Sequence, residues 1–392
     1  MYNTYMYNFI VKSYLRFIKY VENHFFIKLK LKNTIIICSH NDFDTNGNVF
    51  YNYLVNNGYL EKYKIVWLIK NKRPKNLPKR VLTFVEYKER LIKSYYLCTA
   101  KCGTFDDYVP VKRRPEQKWF YLTHGSLSLK NVKGKMDIPP YIDYVLFASE
   151  KIAKTRAYLL NMEYPSNRIL YLGMPMDDIF YLENERGHLY KLTNKKYNKV
   201  FVWLPTFRKN VNGIRNDSNV VQKYGLPIIS SKNDLITIDK SLSINNSLMI
   251  IKFHPMQDLT EINTIPNLSN IIILSSDESK EKGIDIYHLL KDSDALITDY
   301  SSIASDYMHV NKPIAFTCDD VDDYNLGIVK DFLPLFVGDR ISTTNEMLSF
   351  IQNVENGIDT YSEKRNTAKD VIFKYSDQYS SKRLMDFIES VL

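Results

Sequence analysis

Lys199-Val200-Phe201-Val202-Trp203-Leu204 is an apolar run that follows a polar, charged stretch at 183–196 and restarts a pattern already completed once. The first pass opens on Thr34-Ile35-Ile36-Ile37-Cys38 and continues with strand-like runs at 64–69, 80–85, 118–123, 144–148 and 168–172. Amphipathic segments at 45–58, 87–98 and 149–161 lie between them. The second pass adds runs at 248–253, 270–274, 295–298 and 313–317, with helices near 285–293 and 302–310. Short, continuous apolar runs suit parallel strands covered on both faces by helices. The chain therefore reads as α/β, with two Rossmann-like domains facing a central cleft. The expected division is 34–190 and 191–392, after a segment 1–33. The Asn/Ser/Gly/Asp-rich stretch 209–247 reads as containing a long loop, and 343–392 as a helical tail of the second domain. Ligands in such folds bind beyond the carboxyl ends of the strands.

A length of 392 residues exceeds one ordinary domain. Hydrophobic residues at 45% and charged residues at 25% exclude a disordered chain. Lys plus Arg outnumber Asp plus Glu by 53 to 44, which favours anionic partners. Cys38, Cys98, Cys102 and Cys318 have neither disulfide-framework nor zinc spacing, and read as buried thiols of a reducing compartment. No apolar run reaches membrane-spanning length and no signal-peptide pattern is present, so a cytoplasmic protein is expected. Residues 1–33 hold six basic residues, one acid and nine aromatics at roughly helical spacing. A basic amphipathic helix of that kind can lie on an anionic bilayer, pack on its own domain, or serve a homo-oligomer.

Several chemically capable residues fall at strand ends. Run 118–123 leads into His124-Gly125-Ser126, and run 248–253, which contains Lys252, leads into His254-Pro255. Run 295–298 leads into Asp299-Tyr300-Ser301-Ser302, and run 199–204 into Pro205-Thr206-Phe207-Arg208. Histidine can accept a proton near neutral pH, and Gly125 permits a tight turn and close ligand approach. Serines at a helix start suit phosphate, and the Arg208 guanidinium is a fork matched to phosphate oxygens. Lys112, Arg113, Arg114 and Lys130, with Lys118, Lys133 and Lys135, form a basic cluster around His124 in the sequence, read as either a solvated face or a surface for an anionic acceptor. Asp42-Phe43-Asp44 has the spacing of a metal-nucleotide site, but short Asp pairs recur by chance, and no metal or cofactor is expected. Walker, GxGxxG and Gly-x-Ser-x-Gly motifs are absent, as are signatures of nucleic-acid binding.

In order as well as content, these motifs resemble the CDP-glycerol glycerophosphotransferase family of teichoic-acid primases and polymerases and related capsule polymerases. The resemblance is carried by Thr123-His124-Gly125-Ser126-Leu127-Ser128-Leu129-Lys130, Gly173-Met174-Pro175-Met176-Asp177-Asp178, Leu204-Pro205-Thr206-Phe207-Arg208 and Lys252-Phe253-His254-Pro255. Asp285-Ile286-Tyr287, the segment from Leu296 to Tyr307, and Asp322-Asp323-Tyr324 complete it. It departs where Ser126-Leu127-Ser128-Leu129-Lys130 replaces the common Thr-Pro-Leu-Lys after His-Gly, and where Met176-Asp177 replaces a common Arg-Asn pair. The resemblance implies a GT-B-like fold and a membrane-associating N-terminal region. It also implies that His124 is the general base, that His254 assists at the phosphates, and that Ser301 and Ser302 hold the pyrophosphate. Thr206 and Arg208 would line the cleft, beside Lys252 and Asp299. The expected reaction moves a polyol phosphate from CDP-glycerol or a related CDP-polyol to a hydroxyl of a lipid-linked or polyanionic polymer acceptor, releasing CMP, at the inner face of the cell membrane. The alternative is a GT-B glycosyltransferase using a nucleotide-sugar.

Overall fold

The structure, a computed structural model, describes all residues except 1, 72, 86–87, 184–186, 209–217, 219–221, 255–256, 258, 266–267, 318–319, 321–323 and 326, and the side chains of 2–10. Pro255, Cys318, Asp322 and Asp323 therefore lie outside the described residues, as does part of the expected loop at 209–247.

Among the described residues two parallel sheets form. The first contains β1 (Lys32–Cys38), β2 (Lys64–Ile69), β3 (Val81–Val85), β4 (Ala100–Phe105), β5 (Lys118–Tyr121), β6 (Tyr144–Leu146) and β7 (Ile169–Leu170). Their order is β3-β2-β1-β4-β5-β6-β7. The second contains β8 (Val200–Trp203), β9 (Leu248–Lys252), β10 (Ile271–Leu274), β11 (Ala295–Thr298), β12 (Ile314–Phe316) and β13 (Asp339–Arg340). Its order, β10-β9-β8-β11-β12-β13, repeats that of the first sheet. The chain reverses direction across each sheet between β1 and β4 and between β8 and β11, and crevices open at such switch points.

Strand alternation sorts the apolar side chains into separate layers. Ile35 and Ile37 join a core that also contains Val200 and Val202 from β8, so one apolar layer runs through both halves. Ile36 and Cys38 face a second layer, and Phe201 and Trp203 a third. Each fully buried side chain of this size contributes roughly 1.5–3 kcal/mol, and a one-residue slip would turn the whole set over.

β4 is a central strand that the apolar pattern does not announce. Its sequence, Ala-Lys-Cys-Gly-Thr-Phe, follows the helix Arg90–Thr99 with no break. Pairing with β1 and β5 forms it, and Gly103 leaves room for the Phe105 ring, which a Cβ would meet at 2.6 Å. The stretch 209–247 also holds the helix Lys232–Ile244, opened by a Ser231–Asp234 capping box. The tail begins on the second sheet, where Met347, Phe350 and Ile351 join its core, but its last helix does not stay there. Phe387 packs 5.0 Å from the Tyr144 ring, and Asp178 accepts the N–H groups of Ser380 and Ser381 at 2.8 and 2.9 Å. The buried stripe Leu384, Met385 and Ile388 of the helix Ser380–Val391 needs a partner, and the first unit supplies it.

The helix Tyr2–His24 is anchored at its carboxyl-terminal end. Glu22 pairs with Arg113 at 2.5 Å and accepts from Ser94 at 2.6 Å. Arg114 donates to the Leu29 carbonyl at 2.6 Å, and Lys112 pairs with Asp143 at 2.7 Å. These groups precede β5, so they sit at the amino edge of a parallel sheet whose carboxyl edge carries His124. This corrects the grouping of Lys112, Arg113 and Arg114 with His124: neighbours in sequence lie at opposite ends of a strand. Their charges join the N-terminal segment and the loops to the first unit. No described helix is long and apolar enough to cross a membrane.

Candidate active site

A cleft of about 930 Å³ lies between the carboxyl edges of the two sheets. Of the residues expected at a site, His124, Lys252, His254, Ser301 and Ser302 all line it. His124 follows β5 on a loop held from both sides. Asn46 donates to the Thr123 carbonyl at 3.2 Å and accepts the Met176 N–H at 3.0 Å. On the far side, Ser126 N–H reaches Asp306 at 3.3 Å, and the Ser305 hydroxyl donates to the Leu127 carbonyl at 2.9 Å. Thr123 and Gly125 take φ values of 58° and 85°, which turns His124 into the cleft. For Thr123, a β-branched residue, that conformation is strained, as backbone at functional sites often is.

Gly125 meets the second unit directly. A Cβ there would sit 2.6 Å from the Ser302 Cβ and closer still to its hydroxyl. Gly125→Ala combines this clash with an unfavourable φ, and something in the His124–Ser302 arrangement must shift. For the reaction that the resemblance implies, we expect CMP release to fall at least tenfold. A variant with the parent rate would show that this approach is not needed.

The imidazole of His124 is open to the cleft, yet protein surrounds it at longer range. That desolvation, and after it the charge of His40, lowers its pKa below the ordinary 6.5. The neutral ring, which can accept a proton, is thereby favoured. Lys252 has its pKa lowered by burial and next by Lys280. His254 lies 5.3 Å from the Phe207 ring, centroid to centroid. Ser301 and Ser302 connect β11 to the short helix Ile303–Tyr307, which continues as a 3₁₀ turn through Val310.

Thr206, Arg208 and Asp299 do not line the cleft. Arg208 is buried, with Nε and Nη2 on Asp320 at 2.7 and 3.1 Å. Its Nη1 donates to Asp299 and to the Thr206 carbonyl, each at 2.9 Å, and Tyr300 stacks 5.1 Å from the guanidinium carbon. Thr206 donates its own N–H and hydroxyl to Asp299. The fork read as matched to phosphate is matched to two carboxylates, and the three residues brace the ends of β8 and β11. Lys130 lies on a bridge to Ile328 that ties the His124 loop to the second unit.

The cleft adds residues that the sequence reading passed over or, for Asp42, Asp44 and Asp178, named without assigning them to the site. His40, Asp42 and Asp44 follow β1, and Asp178, His188, Lys280 and His288 lie along the cleft wall. His188 and His288 stack at 4.6 Å, and burial followed by the charge of His288 lowers His188 to about 4. His40 stands two residues beyond a buried strand, the same signal that picked out His124 and His254. His188 lies in the connecting segment and carries no comparable signal. Among the described residues no group of three or more His, Cys, Asp or Glu side chains is arranged to hold a metal ion.

The CDP-Glycerol:Poly(glycerophosphate) glycerophosphotransferase family model matches residues 21–390. The teichoic acid glycerol-phosphate primase of Bacillus subtilis (strain 168) is 27% identical over 347 residues, covering 83% of this chain and 80% of that protein. The teichoic acid ribitol-phosphate primase of Bacillus spizizenii is 24% identical over 331 residues, covering 76% of this chain and 77% of its own. A solved structure of the wall teichoic acid polymerase TagF soaked with CDPG superposes with a TM-score of 0.75 at 19% identity, covering 100% of this chain and 98% of that one. That likeness gives the fold, which is GT-B-like: two parallel-sheet α/β units around a cleft. With a family match that runs through both sheets and every cleft-lining segment, the chain belongs to the CDP-glycerol:poly(glycerophosphate) glycerophosphotransferase family.

Proposed function

We propose that this chain transfers glycerol phosphate from CDP-glycerol to a hydroxyl of a lipid-linked or polymeric polyanionic acceptor in teichoic acid synthesis. One observation carries the reading: in a chain matched by this family over 21–390, His124 of the first unit faces the Ser301–Ser302 helix start, Lys252 and His254 of the second in one cleft. His124 takes the proton of the acceptor hydroxyl. The freed oxygen forms a bond to the phosphorus bearing glycerol, the bond from that phosphorus to the bridging oxygen breaks, and CMP leaves. Lys252, His254 and the helix-start N–H groups carry the spread phosphate charge, the main catalytic task in phosphoryl transfer. The first unit presents the acceptor and the second holds the donor.

The acceptor reaches the cleft at a membrane surface to which the N-terminal helix binds. Phe17, Tyr20 and Phe25 are 53%, 55% and 58% exposed on and just beyond this helix, where Lys12, Arg16 and Lys19 are exposed as well. Rings and cations together suit an anionic bilayer. The test combines the full chain, CDP-glycerol and an acceptor displayed on anionic vesicles. CMP release and co-sedimentation with the vesicles are both expected. Turnover of UDP-sugars in place of CDP-glycerol would overturn the donor assignment, and CMP release by chain that never sediments would remove the membrane from it.

A further inference from the structure

Beside His124 the cleft holds a second imidazole that the proposed transfer does not use. The rings of His40 and His124 lie 5.0 Å apart, centroid to centroid, and tilted by 49°. His40 comes from the turn after β1, where Asp42, Phe43 and Thr45 have φ values of 63°, 50° and 47°. Three left-handed non-glycine residues within four positions are costly, and such backbone persists only where its surroundings fix it. They are fixed here: Asp42 accepts the Lys70 N–H at 2.8 Å, and Asp44 accepts the Asn41 N–H at 3.1 Å. Asp107, just after β4, lies 3.4 Å from the His40 Nδ1 and 2.7 Å from the Lys70 Nζ. Lys70 also donates to the His40 carbonyl at 2.9 Å.

We propose that His40, held by Asp107, is a positioning residue for His124: its imidazolium lies against the neighbouring ring and repels a proton from it. One carboxylate shared by two cations leaves the Lys70–Asp107–His40 group net positive. The direction is consistent on both rings. Asp107, through its hydrogen bond, raises the His40 pKa, while burial and then His40 lower that of His124. The other charges near His124 in its own unit are Asp44, Asp107 and Lys130. Lys252 and His254 line the opposite wall, and Asp306 lies beneath Gly125. Asp44 and Asp107 act against His40, so the net effect is smaller than a bare pair of charges at this distance would give. His40 and Asp107 are also partly exposed, and water screens them further.

This inference rests on His124 as the base, and two readouts separate the two ideas. The first is the NMR titration of the His124 ring in the full chain, which reports its pKa whether or not it is the base. His40→Gln is expected to raise that pKa by about one pH unit. His40→Lys, which keeps a cation, is expected to restore most of the shift. The second readout is the pH profile of kcat/KM for CMP release. Its acid limb is expected to move upward with His40→Gln, so that the rate below the limb falls about tenfold. A His124 titration unmoved or lowered by His40→Gln in a chain with the parent melting temperature would overturn the proposal, and so would a His40→Lys titration identical to that of His40→Gln. A titration that moves while the acid limb stays would leave the His40–His124 coupling standing and remove His124 as the base.

Discussion

His124→Ala is expected to lower CMP release from CDP-glycerol about 1000-fold in a chain that remains folded. The loss is large because general-base catalysis by a positioned histidine contributes roughly 10²–10⁴-fold. The fold is spared because the side chain faces the open cleft, whereas the loop is held through backbone groups by Asn46, Ser305 and Asp306. The parent enzyme should show kcat/KM rising with pH through the His124 pKa, which desolvation and His40 place below 6.5. The residual activity of His124→Ala should lack that limb. Circular dichroism and melting report the fold, and nucleotide release reports the rate. A folded variant within a few-fold of the parent rate would remove His124 as the base.

The second large effect concerns stability. Arg208→Ala strands Asp299 and Asp320, which are 0% and 3% exposed and share that guanidinium. Removing one partner of such a buried network costs about 3–5 kcal/mol, because the charges left behind have neither water nor a counter-ion. Denaturant titration should show the loss as a lower midpoint, while the fraction still folded binds CDP-glycerol as the parent does. Burial alone would raise the Asp320 pKa, but the hydrogen bonds and charge of Arg208 hold it below the ordinary 3.8. A carboxylate with a depressed folded pKa stabilises above its unfolded value and loses that contribution as pH falls through the folded one. The cost of Arg208→Ala should therefore be fully present above about pH 4 and shrink below it. An unchanged midpoint with weakened donor binding would return Arg208 to the phosphates.

Arg208 shows why residue type alone misleads. A guanidinium two residues beyond a strand-end Pro-Thr suits a phosphate and a pair of aspartates equally well. The distinction lies in Asp299 and Asp320, which are 91 and 112 positions away in sequence. The basic cluster misleads for a related reason. Residues 112–118 and 124 are close in the chain, but β5 carries them to opposite edges of the sheet. Conversely, His188 and His288 are stacked although a hundred residues part them, and no local pattern marks such a pair.

The sequence by itself determined the α/β class, the two passes of strands and helices, and the histidines and serines at strand ends. These are local properties: an apolar run needs cover on both faces, and a parallel strand must end where its helix begins. Tertiary structure alone decided that β4 is central, that the last helix returns to the first unit, and that His40 stands beside His124. It also decided which cations face the cleft and which are held by aspartates. Those outcomes depend on contacts between segments distant in the chain, where burial removes water from a charge and a partner must replace it.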